Sequence, residues 1–203
     1  MSDFETENYL LKKGFLCVCG VDEVGRGALF GPVVAAGVVL DPARLHPEIN
    51  DSKTLGAAKR LELAAFIYRH ARAYSIGWCW NDEIDEINIL QATKRSMAMA
   101  LQSLQLRPDY VLMDGMDPGF TGFAGQKIIA GDKKSMSIAA ASIIAKVFRD
   151  NLLEQFARFF PEYGLAVHKG YPTQKHINVI LSKGMTLFHR HSFRVRHERR
   201  KPS

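Results

Sequence analysis

The chain has 203 residues, of which 47% are hydrophobic and 24% are charged, and its formal net charge is +6 at pH 7. This length and composition predict one compact domain with a smaller appendage and exclude a disordered chain. The longest apolar run, from Leu29 to Leu40, is interrupted by Gly31 and Pro32 and is shorter than the roughly 20 residues that span a bilayer, so no membrane anchor is expected.

The N-terminus and the cysteines indicate the compartment. Residues 1–13 carry five charged side chains and no apolar stretch, which does not resemble a secretory signal and favours a cytoplasmic location. Three cysteines do not suit a disulfide framework, and the first two lack the two-residue gap of zinc-binding pairs. We interpret Cys17, Cys19 and Cys79 as small apolar strand residues.

Positive charge is concentrated near the C-terminus. Nine of the 27 Lys and Arg residues lie between His168 and Ser203, where Glu198 is the single acid. A basic segment beside a nearly neutral body suits contact with a polyanion such as nucleic acid. Taken alone, such a segment is more often a solvated tail.

Periodicity and turn residues predict the elements of the first half of the chain. They are a strand at 15–21, a turn at Gly25 and Gly27, a strand at 33–40, a helix at 55–73, a strand at 74–80 and a long helix capped by Asn81. The apolar stripe of that long helix is interpreted as core.

The second half of the chain is predicted to add two strands and a helix, at 110–113, 127–130 and 135–159. Residues 138–145 of that helix are small and apolar enough to lie close against a sheet. After Pro161 the composition changes to glycine, proline, histidine and basic residues, which predicts a small C-terminal region. We therefore expect an α/β domain with a mixed sheet at 1–160 and a basic region at 161–203.

Four acids sit where an apolar strand gives way to glycine: Asp22, Glu23, Asp114 and Asp132. Because neighbouring strands lie about 5 Å apart, their ends bring such carboxylates together. Carboxylates at that spacing repel one another unless a hard cation neutralises them, and Mg²⁺ or Mn²⁺ suits an oxygen-rich site of this kind. The pattern favours metal-assisted cleavage of phosphodiesters, although any one of these acids alone is more typical of an ion pair or a turn cap.

Asp22 and Glu23 are adjacent, and successive residues of a strand point to opposite faces. We expect Gly25 and Gly27 to let the chain turn just after Asp22, so that Glu23 swings back or offers its carbonyl instead. The run Gly25-Arg26-Gly27 matches neither the Walker pattern nor the dinucleotide fingerprint, so a nucleotide cofactor is not predicted.

The run Gly-Val-Asp-Glu-Val-Gly-Arg-Gly-Ala-Leu-Phe-Gly at 20–31, continued by Pro-Val-Val-Ala-Ala, closely resembles the opening signature of bacterial ribonuclease HII, the type 2 ribonucleases H. Further segments resemble this family in the same order, and together they span about residues 16 to 193. They are 50–55, 114–115, 131–132, 134–135, 138–146, 149–150, 168–171 with Thr173 and His176, 189–190 and 192–193.

The resemblance implies a ribonuclease H-like fold, with a mixed five-stranded sheet flanked by helices and a small helical C-terminal region. It implies that the four acids bind one or two Mn²⁺ or Mg²⁺ ions. The implied activity is cleavage of RNA in RNA-DNA hybrids, and of DNA 5′ of single embedded ribonucleotides, by metal-activated water. The ends would be 5′-phosphate and 3′-hydroxyl, with roles in ribonucleotide excision and RNA primer removal.

The resemblance also implies how the substrate is held. Backbone groups of Gly25, Arg26 and Gly27 would read the 2′-hydroxyl that distinguishes RNA from DNA. Tyr171, in the basic C-terminal region, would pack on the sugar at the RNA-to-DNA junction. Phosphate contacts are expected from Ser52, Lys53, Lys146 and Lys169.

Other features have no such implied role. Asp150 is interpreted as an ion-pair partner or a helix-stabilising residue, the role of the tail after Phe193 stays open, and a monomer is expected. Two alternative functions also stay open from the residues themselves. One is a DNA nuclease such as a junction resolvase, and the other is a basic binding module in which the acids are structural.

Overall fold

The computed structural model describes residues 2–195 and contains one five-stranded sheet. Its strands are β1 (Val18–Val24), β2 (Val33–Val39), β3 (Ala73–Cys79), β4 (Tyr110–Asp114) and β5 (Gly125–Ile128). The order across the sheet is β3-β2-β1-β4-β5, with β2 antiparallel to β1 and β3, and with β1, β4 and β5 parallel. The predicted mixed five-stranded α/β fold is confirmed.

Within the described residues, six α-helices surround the sheet: α1 (Glu5–Lys12), α2 (Ala57–His70), α3 (Asn81–Gln102), α4 (Met136–Phe159), α5 (Leu165–His168) and α6 (Gln174–Lys183). Buried side chains of α3 pack on one face of the sheet, and those of α2 and α4 pack on the other. Helix α4 lies close to β1 because Gly20 has no side chain: a Cβ atom there would be 2.1 Å from the backbone of Ser137. The small residues predicted to lie against a sheet, 138–145, are all buried.

The first strand differs from its prediction. It begins at Val18 and continues to Val24, because the ladder with β2 extends through Asp22 and Glu23, which pair with Ala36 and Ala35. The predicted turn just after Asp22 is therefore wrong, and the chain turns at Gly25 instead. The fifth strand also lies earlier than predicted, at Gly125–Ile128, and α1 was not predicted at all.

Asn81 is the first residue of α3 and not its cap, which corrects the prediction. Its side-chain amide instead donates hydrogen bonds to the carbonyl oxygens of Leu187 (2.8 Å) and His189 (3.3 Å). The side chain of Asn81 therefore ties α3 to the C-terminal segment, a long-range contact that local pattern does not reveal.

The three cysteines are free and buried, as interpreted, although Cys17 lies one residue before β1. Within residues 2–195, no helix is both long enough and apolar enough to cross a membrane. The segment after Pro161 adds α5 and α6 and packs against α4 and the turn after β1. That contact is made by aromatic side chains from both parts, which are Phe30, Phe156, Phe160, Tyr163 and Phe188.

Candidate active site

Three aspartates meet at one edge of the sheet. Val21 of β1 pairs with Met113 of the parallel strand β4, so the next residues, Asp22 and Asp114, lie side by side. Asp132 joins them from a short 3-10 turn, Gly131–Lys133, that follows β5. One carboxylate oxygen from each aspartate lies within 4.8 Å of the other two.

Backbone amides hold two of the three aspartates, and burial limits the contact of all three with solvent. Asp22 and Asp132 are almost fully buried, and Asp114 is partly buried. Asp22 accepts a hydrogen bond from the amide of Glu23, and Asp114 accepts one from the amide of Gly131, each at 2.7 Å. These bonds orient the carboxylates of Asp22 and Asp114.

Burial is the main cause of the raised pKa of both Asp22 and Asp114. The charge of Glu23 raises the pKa of Asp22 further, while a hydrogen bond from Ser142 opposes the rise. The charge of Asp132 likewise raises the pKa of Asp114, while the hydrogen bond from the amide of Gly131 lowers it. Raised values mean that the folded protein disfavours these negative charges unless a cation is added.

Glu23 lies beside this group and not within it. Its carboxylate is 3.4 Å from the guanidinium of Arg26, and the side chain is partly buried. Burial raises its pKa, the Arg26 charge opposes that rise, and the Asp114 charge supports it. The structure therefore brings three of the four predicted acids together and places the fourth at their margin, as the alternation along β1 requires.

The donor set fits a hard divalent cation. Three carboxylates converge, their oxygens are the ligands that Mg²⁺ and Mn²⁺ prefer, and their neutralisation within the chain is small. Lys53 reaches Asp132 at 3.1 Å, but its side chain is 73% exposed and is free to move away. A second group, His46, Glu48 and Glu62, also has metal-like spacing, but Lys59 already forms ion pairs with both of its glutamates.

The glycine turn lies next to the aspartates. Gly25 has a φ of +90°, in the region that favours glycine, and a Cβ atom there would be 2.3 Å from Nε of Arg149. The amide of Ala28 donates to the carbonyl of Gly25, and Arg190 donates to the carbonyl of Arg26 at 2.9 Å. Only glycine fits at position 25.

A groove of about 370 Å³ lies beside the acids. Four of the eight predicted substrate contacts line it, together with Glu23: they are Ser52, Lys53, Lys146 and Tyr171. The glycine turn, residues 25–27, does not line it. Lys169 does not line this groove and forms an ion pair with Glu154 at 2.6 Å. Lys146 forms an ion pair with Asp150 at 2.7 Å, which confirms the interpretation of Asp150.

Three residues of this region were not among the predicted site residues. Ser142 lies between the groove and the acids, because its hydroxyl is 2.9 Å from that of Ser52 and it lowers the pKa of Asp22. Its signal in the sequence was a hydroxyl within the small apolar run of α4. Arg149 and Arg190 are fully buried behind the glycine turn, which no local pattern indicates.

Comparison with known proteins supplies the family. The model of the ribonuclease HII family matches residues 19–196. This chain belongs to the ribonuclease HII family. It is 46% identical to ribonuclease HII of Syntrophus aciditrophicus (strain SB), over 97% of this chain and 92% of that protein.

Solved structures agree with this family. Ribonuclease H2 from Pyrococcus horikoshii OT3 matches with a TM-score of 0.75 and 26% identity, over 89% of this chain and 95% of that one. The structure of the PCNA:RNase HII complex from Archaeoglobus fulgidus matches with a TM-score of 0.76 and 28% identity, over 91% of this chain and 98% of that one.

Membership confirms that the chain is a metal-dependent ribonuclease H that acts on RNA-DNA hybrids. The two alternatives, a DNA nuclease such as a junction resolvase and a binding module with structural acids, do not describe this family.

Proposed function

We propose that this ribonuclease also nicks duplex DNA on the 5′ side of a single embedded ribonucleotide, and leaves 3′-hydroxyl and 5′-phosphate ends. One observation carries the proposal: the three aspartates converge next to a glycine turn in which Arg26 and Gly27 are exposed, and Glu23 and Val24, which lead into that turn, line the same groove as Tyr171. Such a site suits recognition of one sugar and hydrolysis of the phosphate next to it.

Asp22, Asp114 and Asp132 would hold one or two Mg²⁺ or Mn²⁺ ions, with Glu23 at the edge of the site. Such an ion supplies a Lewis acid that activates water and neutralises charge on the phosphate. The chain's own contribution is to orient the acids: the amides of Glu23 and Gly131 hold Asp22 and Asp114. Lys53 would leave Asp132 and contact a phosphate instead.

Selection of RNA would come from the backbone of Gly25, Arg26 and Gly27. The 2′-hydroxyl both donates and accepts hydrogen bonds, so amide and carbonyl groups can recognise it without a side chain. Gly27 suits a close approach, because among the described residues no atom lies within 4 Å of the position that its Cβ would take.

Tyr171 would pack on the adjacent sugar and so recognise the RNA-to-DNA junction. Its ring stands 5.5 Å from the guanidinium of Arg149, which supports its orientation toward the groove. Ser52, Lys146 and Lys169 would contact phosphates, the last two after exchanging an acid of the chain for a phosphate of the substrate.

We infer the wider role from this chemistry. An enzyme that cuts beside a single ribonucleotide starts ribonucleotide excision, and one that cuts hybrids removes RNA primers. We propose that a cytoplasmic monomer does both, with residues 1–160 as the catalytic domain and residues 161–203 as the basic region that completes the substrate site. Of the basic tail after Phe193, residues 196–203 lie outside the described residues.

The test is an end-labelled DNA duplex with one central ribonucleotide, incubated with the protein in Mg²⁺, in Mn²⁺ or in EDTA. We expect one cut, 5′ of the ribonucleotide and only with a metal, and a 3′ end that a DNA polymerase extends. Asp114→Asn should abolish the cut, whereas Asp82→Asn, an exposed acid on α3, should cut normally. An intact ribonucleotide duplex, or equal cutting of an all-DNA duplex, contradicts the proposal.

A further inference from the structure

Two arginines are buried completely behind the glycine turn. Arg149 comes from α4 and Arg190 from the C-terminal segment, and both have zero exposure. Neither forms an ion pair with an acid within residues 2–195. Burial lowers the pKa of both, and at Arg190 burial and the charge of Arg149 together lower it to about 9. A buried charge without an acid is costly, so its retention needs an explanation.

Both guanidinium groups donate to backbone carbonyls. Arg190 donates to the carbonyls of Gly31 (3.0 Å) and Arg26 (2.9 Å). Arg149 donates at 2.9 to 3.0 Å to three further carbonyls, which belong to Phe30, Pro32 and Lys169. Four of these five carbonyls belong to residues 26–32, a loop that begins within the glycine turn proposed to read the 2′-hydroxyl.

Arg149 links the two halves of the proposed substrate reader. It packs against Cα of Gly25 on one side, and it binds the carbonyl of Lys169 and faces the ring of Tyr171 on the other. The backbone reinforces the same link, because the amide of Leu29 donates to the carbonyl of Gly170 at 2.8 Å. Gly170 has a φ of +80°, and a Cβ there would be 2.9 Å from the carbonyl oxygen of Phe30.

We propose that Arg149 and Arg190 are positioning residues that fix the glycine turn and Tyr171 in one geometry, so that the enzyme reads the 2′-hydroxyl and the neighbouring sugar as a unit. This inference rests on the proposed function. Neither side chain touches substrate. A guanidinium suits the task because its planar, forked donors bind several carbonyls at once, which a lysine ammonium does not do with the same geometry.

The inference predicts that Arg149 and Tyr171 are coupled. A displacement of about 1 Å at a reacting centre costs roughly 100-fold in rate, so Arg149→Met should lower kcat/KM on the single-ribonucleotide duplex by about that factor. Tyr171→Ala alone should lower it about tenfold. If Arg149 holds Tyr171 in place, then Tyr171→Ala should cost less than about twofold once Arg149 is already methionine.

A double-mutant cycle on the full-length protein measures this coupling, with circular dichroism to verify that each variant is folded. Leu101→Ala is the matched control. Leu101 is buried on the opposite face of the sheet, so its truncation destabilises the fold without altering a contact of the glycine turn or of Tyr171. Combined with Leu101→Ala, the Tyr171→Ala loss should remain tenfold. Arg149→Lys preserves the charge and most of the volume, supplies a second folded variant, and should also lose the coupling.

The outcomes separate the two proposals. If wild type leaves the single-ribonucleotide duplex intact, the proposed function is overturned and this inference with it. If wild type cuts the duplex but the losses from Arg149→Met and Tyr171→Ala multiply independently, the inference alone is overturned. Full activity of Arg149→Lys with the Tyr171 effect unchanged overturns it as well.

Discussion

The two sides of the catalytic groove are held together by opposite means. On the acid side, strands β1 and β4 deliver Asp22 and Asp114 to one edge of the sheet, and the carboxylates stay poorly neutralised. On the reading side, loops carry the contacts, and the buried guanidiniums of Arg149 and Arg190 hold those loops by their carbonyls.

This difference separates chemistry from recognition. A rigid sheet edge suits a metal site, since three acids must keep a spacing of a few ångströms while their charges oppose it. Loops suit the reading of a sugar, because backbone amides and carbonyls must be exposed, and an ordered sheet would pair them. Substitutions on the acid side should therefore reduce turnover, and substitutions on the reading side should alter substrate recognition.

The largest effect is expected on the acid side. Asp114→Asn keeps an acceptor for the amide of Gly131 but removes a charge that holds metal, so turnover of hybrid substrate should fall by roughly 1000-fold or more. The same change removes repulsion among the acids. Without divalent cation, the variant should therefore unfold about 3 °C higher for each 1 kcal/mol gained.

Calorimetry in EDTA and a cleavage assay in Mg²⁺ check both halves of this prediction. Asp82→Asn, an exposed acid in the first turn of α3, is the matched control: cleavage should be unchanged, and the unfolding temperature should not rise, because this acid stabilises the helix N-terminus. An Asp114→Asn variant that stays active, or that unfolds at a lower temperature than wild type, would show that the acids are structural.

On the reading side, Gly25→Ala should have the next largest effect. The added Cβ would meet Arg149 at 2.3 Å on a backbone with a φ of +90°. The turn must therefore move, and we expect roughly a 100-fold loss of activity and a stability loss of about 1–3 kcal/mol. Denaturant titration and kcat/KM on hybrid substrate measure the two effects.

Two other glycines make this test specific. Gly56→Ala should keep wild-type activity and lose at most about 1 kcal/mol of stability, because Gly56 has a negative φ and no described atom close to its Cβ position, and alanine is only a poorer N-cap for α2. Gly27→Ala should keep wild-type stability for the same steric reason, so that any activity loss there reports the approach of substrate. Equal stability losses at all three positions would refute the close contact with Arg149.

The two sides also differ in how far the sequence predicted them. On the acid side, hydrophobic runs that end in Asp22 and Asp114 indicated strand ends, and neighbouring strand ends converge by geometry alone. Asp132 was predicted at a strand end but sits on a 3-10 turn past β5. The turn position was also wrong, because pairing with β2 extends β1 to Val24, and pairing partners are not visible in a local pattern.

The reading side was predicted only by resemblance to a family. Residues 26–32, 149, 169–171 and 190 meet only after the chain folds, and their bonds join a side chain to a carbonyl, which leaves no periodic signature. Arg149 and Arg190 resemble ordinary surface charges in the sequence. The prediction that Asn81 caps α3 was wrong for the same reason, since its partners are carbonyls more than 100 residues away.

Acid pH should affect the two sides in opposite directions. His176 and His189 are buried and hydrogen-bonded to each other through Nε2 at 3.1 Å, and burial is the main cause that lowers the pKa of each to about 4. Between about pH 6.5 and 4 the unfolded chain binds more protons at these sites, so stability falls as pH falls. Each histidine should cost about 2 kcal/mol between pH 7 and pH 5.

Urea denaturation of wild type and His189→Gln at both pH values measures this effect. Glutamine supplies a donor in place of Nε2 but does not titrate, so the variant should lose less stability on acidification than wild type. The acid side works in the opposite direction, since raised aspartate pKa values let protonation relieve repulsion. Identical pH dependence in wild type and His189→Gln would exclude these histidines as its source.

The smallest effect tests the reading side most finely. Tyr171→Ala removes a ring that lines the groove, and the loss of stacking on a sugar or base is worth about 1–2 kcal/mol, or roughly tenfold. That loss should fall on the single-ribonucleotide duplex, where one junction must be recognised. It should be smaller on a long hybrid, where many positions can be cut. Tyr171→Phe is the control, because it keeps the ring and should retain the wild-type ratio of activities on the two substrates. Equal losses on both substrates in Tyr171→Ala would instead mean that the glycine turn alone recognises the RNA-to-DNA step.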